Sequence, residues 1–341
     1  MTTKAQSRAI HAGILKAVRR GEISPSIAVA KEFGVSRQAI ARRIRKMIED
    51  GELEESGRSR FRKLALKTTE RRVWNLTLQG LDETIAWRET VAPAVSDLPE
   101  NVRAIWMTGF TEMVNNAIDH SGGASVDLVF ARTAIDASLS IKDNGEGIFR
   151  RIQRLAGYYD PREALLDLAK GKFTTDPERH SGEGIFFTSR AFDKFYILSG
   201  DLFFTHHHDA DWLLDHDHGA VSGTLVHLNL LNDTERTMRA VYAEFSDPNS
   251  LDFSKTVVPV RLARHEGEKL VSRSQAKRLV ARFDMFRTVY LDFTGVAEIG
   301  QAFADEVFRV FAAAHPEVSL TVVNAVSDVQ DMIVRATAPR E

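Results

Sequence analysis

One stretch of the sequence places polar side chains at spacings that could supply both a base and a metal ligand. Glu112, Asn116 and His120 follow one another at intervals of four residues, beside an apolar stripe that includes Phe110 and Met113. Such spacing puts the polar groups along one side of a helix. A carboxylate can act as a base toward water, and an amide oxygen one turn later can bind a hard cation such as Mg²⁺. The spacing therefore predicts a helix that carries a catalytic base and a metal ligand.

A second set of residues could bind a flat base. Strands are predicted over Val126 to Phe130 and Ala137 to Lys142, and the second ends at Asp143 in DNGEGI. The carboxylate of Asp143 can accept a hydrogen bond from an exocyclic amine. Gly145 and Gly147 have no side chains, so a base can approach the backbone beside them.

Two further segments could complete the same pocket. Gly182 and Gly184 open an apolar helical pattern, and glycines at a helix start expose backbone amides to phosphates. Thr224 lies at the beginning of a strand predicted over Leu225 to Leu230, whose alternation would point its hydroxyl into the pocket. The stretch Gly171-Lys172-Phe173-Thr174 does not form a phosphate loop, because Phe173 stands where Ser or Thr must bind Mg²⁺.

The segments FTEMVNNAIDH, IKDNGEGI, HSGEGIFFTSR and SGTLVHLNL resemble, in sequence and spacing, the four nucleotide boxes of the histidine-kinase-like (GHKL) ATPases. The resemblance covers residues 75–232 and implies an α/β sandwich of the Bergerat type that binds ATP and Mg²⁺. By this resemblance Asn116 would bind Mg²⁺, Glu112 would orient or deprotonate the attacking group, and Asp143 would bind adenine. The remaining implied contacts are Gly145 and Gly147 at the base, Gly182 and Gly184 at the phosphates, and Thr224 at the base through water.

The resemblance also implies an ATP lid between Ile148 and Ser181, with a short helix around Arg162 to Lys170. Lys172, Arg179 and His180 are its candidate phosphate contacts. No histidine occurs between His11 and His120, so a histidine autokinase of the usual kind is excluded. Three reactions stay open: slow ATP hydrolysis that switches conformation or dimerisation, serine/threonine phosphorylation of a partner as in anti-sigma-factor kinases, and ATP binding without catalysis.

The N-terminal segment has the pattern of a DNA-binding unit. Helices are predicted through about residue 20, from Pro25 to Gly34, and from Ser36 to Gly51, followed by a hairpin that turns at Ser56-Gly57. Ile27, Ala30 and Phe33 of the second helix are predicted to face the core. This stretch resembles the winged helix-turn-helix domains of bacterial regulators over residues 1–68, which implies double-stranded DNA as a partner. The residues predicted to contact DNA are Arg37, Gln38, Arg42, Arg45 and, on the wing, Arg60.

Residues 73 to about 104 are predicted to be a helical connector, and the segment from Asp233 to Ser250 an acidic linker. The C-terminal third alternates strand and helix as βαβαβα. Its stretch VYLDFTGVAEIGQAFADEVFRVF resembles the STAS-like domains over residues 255–338, and more closely a STAS-like family of unassigned function. The resemblance leaves two roles open for this part of the chain, a docking or dimerisation module and a phospho-switch. No serine lies between Glu298 and Ala302, where a STAS phosphoacceptor would be expected.

The composition agrees with a multidomain α+β protein. The chain has 341 residues, no cysteine and a net charge of −2, which excludes disulfides and thiolate metal sites. Residues 1–72 contain 18 Lys and Arg against 8 Asp and Glu, whereas the remainder contains 27 against 39. The basic end suits a polyanion. No apolar run is long enough to span a membrane. We therefore expect a cytoplasmic, ATP-dependent DNA-binding transcriptional regulator that acts as a homodimer.

The histidines and aspartates between His206 and His218 allow two interpretations. Imidazoles and carboxylates suit zinc or nickel. The same segment also has the pattern of a surface β-hairpin, in which adjacent histidines point to opposite faces. The hairpin is the favoured interpretation.

Overall fold

The structure is a computed structural model. It describes residues 4–57, 63–174, 182–207, 210–215, 221–250, 252–264 and 268–338.

The N-terminal unit consists of helices packed around a small apolar core, followed by a hairpin. The elements are α1 (Lys4–Arg19), α2 (Pro25–Phe33), α3 (Arg37–Glu49), β1 (Leu53–Ser56) and β2 (Lys63–Leu66). β1 and β2 pair in antiparallel fashion. Ile14, Val29 and Ile44 are buried in the core, one from each helix. The three predicted helices and the antiparallel hairpin are confirmed, but the turn does not begin at Ser56, because Ser56 still pairs with Lys63.

Local sequence explains where these helices begin and end. Pro25 occupies the first turn of α2, and Gly34 ends that helix in the left-handed conformation with φ 64°. The hydroxyl of Ser36 accepts a hydrogen bond from the backbone N–H of Ala39 and so caps α3. One expectation was wrong: the side chain of Ile27 is 49% exposed, because the core at α2 is filled by Val29 and by the partly buried Phe33.

The middle of the chain forms a large antiparallel sheet with helices on one face. In the described residues the strand order is β3-β4-β5-β9-β6-β7-β8. The elements in chain order are β3 (Glu70–Thr77), α4 (Glu83–Glu89), α5 (Glu100–His120), β4 (Ser125–Arg132), β5 (Asp136–Asp143), α6 (Ile148–Ala156), α7 (Glu163–Lys170), α8 (Gly184–Ala191), β6 (Lys194–Gly200), β7 (Leu202–His207), β8 (Ala210–Asp215), β9 (Val221–Leu231) and α9 (Met238–Phe245).

Alternation along the central strands decides which side chains meet the helices. Leu139 and Ile141 on β5 and Val226 and Leu228 on β9 are buried in the same core as Trp106 of α5. Asp143 and Thr224 continue these two rows, so both lie at one end of the helix-covered face.

Two predictions about connecting segments were wrong. The connector expected to be helical over residues 73–104 begins as strand β3, which pairs along its whole length with β4. The segment expected to be a linker contains helix α9, whose Phe245 packs edge-on against Phe186 of α8. In both cases the structure depends on partners distant in sequence.

The C-terminal unit has a parallel sheet in the order β10-β11-β12. Its elements are β10 (Lys255–Pro259), α10 (Arg273–Val280), β11 (Thr288–Asp292), α11 (Gln301–Asp305), a π-helical stretch (Glu306–Phe311), α12 (Ala312–Ala314), β12 (Ser319–Val323) and α13 (Ser327–Thr337). The predicted βαβαβα alternation is confirmed. Within the described part of the chain, no helix combines the length and the apolarity needed to cross a membrane.

Candidate functional site

A cavity of about 350 Å³ lies between α5, α6 and α8 at the ends of β5 and β9. The sequence-predicted residues on its wall are Glu112, Asn116, Asp143, Gly182, Gly184 and Thr224. They come from segments up to 112 residues apart. Gly145 and Gly147 lie behind the wall, where they shape the turn after β5.

Helix α5 supplies the polar side chains at one end of the cavity. Glu112 and Asn116 are half-buried and lie one helical turn apart. The first residue of α8, Gly184, faces Glu112 so closely that a Cβ atom there would lie 2.0 Å from Glu112 Oε2. The absence of a side chain at Gly184 therefore leaves the space in which this carboxylate lies.

Asp143 is the buried acid at the other end. Its Oδ1 accepts hydrogen bonds from the backbone N–H of Gly145 at 2.8 Å and of Thr224 at 3.2 Å. Burial raises the pKa of Asp143 above its ordinary value, and the hydrogen bonds from Gly145 and Thr224 oppose that rise. The carboxylate is thus fixed in orientation and poorly hydrated.

The turn after β5 can form only because it contains glycines. A Cβ on Gly145 would lie 2.1 Å from the backbone oxygen of Ser121, and Gly147 has φ 93°. The hydroxyl of Thr224 accepts a hydrogen bond from the backbone N–H of Ile148 at 3.0 Å, which joins the start of α6 to β9. The turn, the helix and the strand therefore form one continuous wall.

The structure describes one of the three candidate phosphate contacts of the expected lid. Lys172 was a candidate phosphate contact, yet its ammonium donates to the carbonyl of Met285 at 2.9 Å and lies over the rings of Phe253 and Phe286. Lys172 therefore contacts the C-terminal unit. Arg179 and His180 lie outside the described residues.

Other wall residues were not predicted from the sequence. Arg151 of α6 lines the cavity, and its buried Nε has no hydrogen-bond partner among the described residues. Phe173 and Thr174 follow α7 and also line the cavity. The helical repeat of α6 indicates that Arg151 and Ile152 are on a helix, but which face meets the cavity depends on tertiary packing.

The residues predicted to contact DNA lie mainly on one helix. Arg37, Gln38, Arg42 and Arg45 are exposed on α3, opposite the buried stripe of Ile40, Ile44 and Met47. This arrangement leaves a basic face open to solvent. Arg60 lies outside the described residues.

The histidine-rich segment is described in part. β7 and β8 pair as expected for a hairpin, whereas His208, His216 and His218, and the side chains of His206 and His207, lie outside the described residues. Within the described residues, no group of three or more His, Asp or Glu side chains could hold a metal ion.

Comparison with known proteins identifies one part of the chain. Residues 275–330 match the family model of the STAS-like domain of unknown function (DUF4325). The search of curated proteins finds no match. The matched stretch runs from α10 into α13, and so covers most of the parallel sheet. The C-terminal unit of this α+β protein therefore contains a STAS-like domain.

Proposed function

We propose that this protein is an ATP-responsive DNA-binding regulator with a GHKL-type nucleotide site in its middle domain. The proposal rests chiefly on one observation: Glu112, Asn116, Asp143 and Thr224, which come from three separate segments of the chain, line a common cavity. Its volume of about 350 Å³ lies within the range of small-molecule sites.

The adenine end is assigned to Asp143. Both of its backbone hydrogen bonds end on Oδ1, so Oδ2 is the oxygen that we assign to the exocyclic amine of adenine. A buried, preoriented carboxylate favours a ligand that donates a hydrogen bond, because a ligand without a donor would leave the acid buried and unpaired.

The phosphate end is assigned to α5 and α8. The carboxamide oxygen of Asn116 and the carboxylate of Glu112 are hard oxygen donors, which suit Mg²⁺ with a nucleotide phosphate. Bound Mg²⁺ would neutralise charge on the phosphates. Glu112, in the space beside Gly184, would orient the attacking water and hold its proton. Arg151 of α6 lines the same cavity and adds a positive charge to it.

DNA binding is assigned to the N-terminal unit, as a winged helix-turn-helix domain. A capped helix with an exposed basic face, followed by a hairpin, is the arrangement by which such domains enter the major groove. The net charge of residues 1–72 supports this assignment. Homodimerisation is part of the proposal, since such domains commonly bind paired half-sites.

Contacts between units offer a route by which ATP could influence DNA binding. Arg19, the last residue of α1, donates to Asp136 on β5 at 2.8 Å and to Asn229 on β9 at 2.6 Å. The DNA-binding unit is therefore joined to the strands that carry Asp143 and Thr224. We assign the STAS-like domain to protein docking.

The reaction is tested by incubating the full chain with Mg²⁺ and ATP labelled at the γ-phosphate. We expect slow release of free phosphate, which Glu112→Gln abolishes. A labelled protein in cell extract would favour the serine/threonine kinase instead. Tight ATP binding without turnover, unchanged by Glu112→Ala, would favour a non-catalytic scaffold.

DNA binding is tested by gel shift on genomic fragments, with and without a non-hydrolysable ATP analogue. We expect retention that weakens with salt and with Arg42→Ala, and that changes when the analogue is added. If the Arg42→Ala protein retains DNA as well as the wild type does, α3 is not the DNA-binding helix. Lys277→Ala, in the STAS-like domain, is the control.

A further inference from the structure

One part of the cavity wall, formed by α7 and the residues that follow it, packs against the STAS-like domain. Leu168, Phe173 and Thr174 line the cavity. Lys170, between them, is 1% exposed and directs its ammonium away from the cavity, toward the carbonyls of Arg278 and Ala281 at 3.0 and 2.9 Å. The segment from α7 to Thr174 is therefore shared between the cavity and the STAS-like domain.

Lys170 is the fixed part of this junction. Its third hydrogen bond goes to Oδ1 of Asp167 at 3.1 Å, so all three of its donors are used. Two of the acceptors are carbonyls at the C-terminal end of α10, where a cation is favoured by the helix dipole. Thr256 of β10 also donates to the backbone oxygen of Lys170 at 2.6 Å.

Arg282 is the part of the junction that reaches the cavity wall itself. Its guanidinium carbon lies 4.6 Å from the centre of the Phe173 ring, and its Nε lies 3.7 Å from Oδ2 of Asp167. Phe173 is buried between this cation and the cavity. Arg282 lies in the turn after α10, with φ 67°, and its contact with Phe173 shows that its side chain points to this wall.

We propose that Arg282 of the STAS-like domain is a positioning residue for the nucleotide cavity, which it acts on by holding Phe173 in place. Packing of the STAS-like domain and occupancy of the cavity are then coupled, because a change at either side of Phe173 changes the other. A protein bound to the STAS-like domain would alter nucleotide affinity by this contact. The inference rests on the proposed function insofar as the ligand is Mg²⁺ with ATP.

The test compares full-length Arg282→Gln with Arg335→Gln, a control that removes an exposed arginine from α13 of the same domain. Calorimetry with Mg²⁺ and the analogue ATPγS should give an affinity about fivefold weaker for Arg282→Gln, the loss expected for a half-buried cation over an aromatic ring. Arg335→Gln should bind as the wild type does. Arg282→Lys keeps the charge and should recover most of the affinity.

Hydrogen exchange provides a second readout that does not require nucleotide. Amides of residues 163–174 should exchange faster in Arg282→Gln than in the wild type, whereas those of β4 should not change. Phe173→Leu should make the Arg282→Gln substitution nearly silent in affinity, since the two side chains act through one contact.

The outcomes separate the two proposals. If the wild type binds ATPγS and Arg282→Gln binds equally well with unchanged exchange, the positioning role is wrong and the nucleotide site stands. If the wild type binds no nucleotide, the proposed function fails; exchange in residues 163–174 then decides whether Arg282 positions this wall at all. Independent losses in the Phe173→Leu and Arg282→Gln double variant would also overturn the inference.

Discussion

Asp143 is a buried carboxyl group with little access to water. Burial raises its pKa, and only the ionised form has both oxygens available as acceptors, Oδ1 for the two backbone N–H groups and Oδ2 for the amine of adenine. Acidification should therefore weaken ATP binding at a higher pH than an exposed aspartate would require. Calorimetry across a pH series should show affinity that is constant near neutrality and falls as Asp143 takes up its proton.

Asp143→Asn checks the same carboxylate without changing pH. Loss of a hydrogen bond to a charged group should weaken ATP binding by about ten- to hundredfold and remove the pH dependence. Asp127→Asn, an exposed acid on neighbouring β4, is the matched control. A flat pH profile in the wild type would contradict the assignment.

Substitution of Gly184 should affect activity and stability differently. Alanine at this first residue of α8 would favour the helix by up to about 1 kcal/mol, but its Cβ would overlap Oε2 of Glu112, so the carboxylate would have to move away. Gly184→Ala should therefore unfold at no lower temperature than the wild type, while phosphate release from ATP falls at least about tenfold, as for loss of a catalytic base. Full activity in a well-folded Gly184→Ala protein would show that Glu112 is not the base.

At the level of elements, Arg19 joins α1 to the large sheet. Its side chain is 17% exposed and bridges Asp136 and Asp193, which are 10% and 12% exposed. Arg19→Met would leave these carboxylates buried without that cation, and should lower the free energy of unfolding by about 3 kcal/mol. Urea denaturation measures this. Arg20→Met is the control, because Arg20 is 61% exposed, and an equal loss there would contradict the account.

The face of the sheet opposite α5 carries a half-buried histidine. The ring of His227 on β9 stacks on that of Tyr196, with ring centroids 4.7 Å apart. Its Nδ1 lies 2.9 Å from the hydroxyl of Ser140. Burial, assisted by the charge of Lys194, lowers the pKa of His227 from 6.5 to about 4. The imidazole is therefore neutral at pH 7.

This lowered pKa makes the folded protein less stable as pH falls. The unfolded chain takes up a proton on His227 near pH 6.5, whereas the folded chain does so only near pH 4. The contribution of His227 to the free energy of unfolding is therefore constant above pH 6.5. It declines between pH 6.5 and pH 4, by at most about 3 kcal/mol. His227→Gln should show a shallower decline. An NMR titration that places the midpoint of His227 near 6.5 would contradict the burial argument.

Elements with strong local signals were predicted correctly. α3 has a cap at Ser36 and an apolar repeat, and β5 ends in Asp143 and a glycine turn. Strand β3 was missed because its pairing partner β4 lies about 50 residues away and its exposed face carries Arg71 and Val73. Such an edge strand is defined by its partner and has little pattern of its own.

At the scale of the whole molecule, motifs predicted which residues share the cavity, whereas the contacts between units could not be predicted. Glu112 and Asp143 carry their chemistry in their type and spacing. Arg19, Lys170 and Arg282 look like ordinary surface cations in the sequence, and only tertiary packing gives them their partners. The same packing turned Lys172 toward Met285.

The units also differ in charge, which bears on how the molecule would work. In the proposed function, the charge split between a basic N-terminal unit and an acidic remainder would turn α3 toward the DNA and keep the acidic units away from it. The same function requires that the cavity bind ATP with Mg²⁺.

Calorimetric titration of the full chain with ATP, in the presence and absence of Mg²⁺, tests this most directly. We expect saturable binding at one site per chain that Mg²⁺ strengthens, and loss of that strengthening in Asn116→Ala, with GTP binding much more weakly than ATP. Asn101→Ala, at the other end of α5, should behave as the wild type does. Absence of ATP binding by the folded wild type, or an Asn116→Ala protein with unchanged Mg²⁺ dependence, would contradict the central claim.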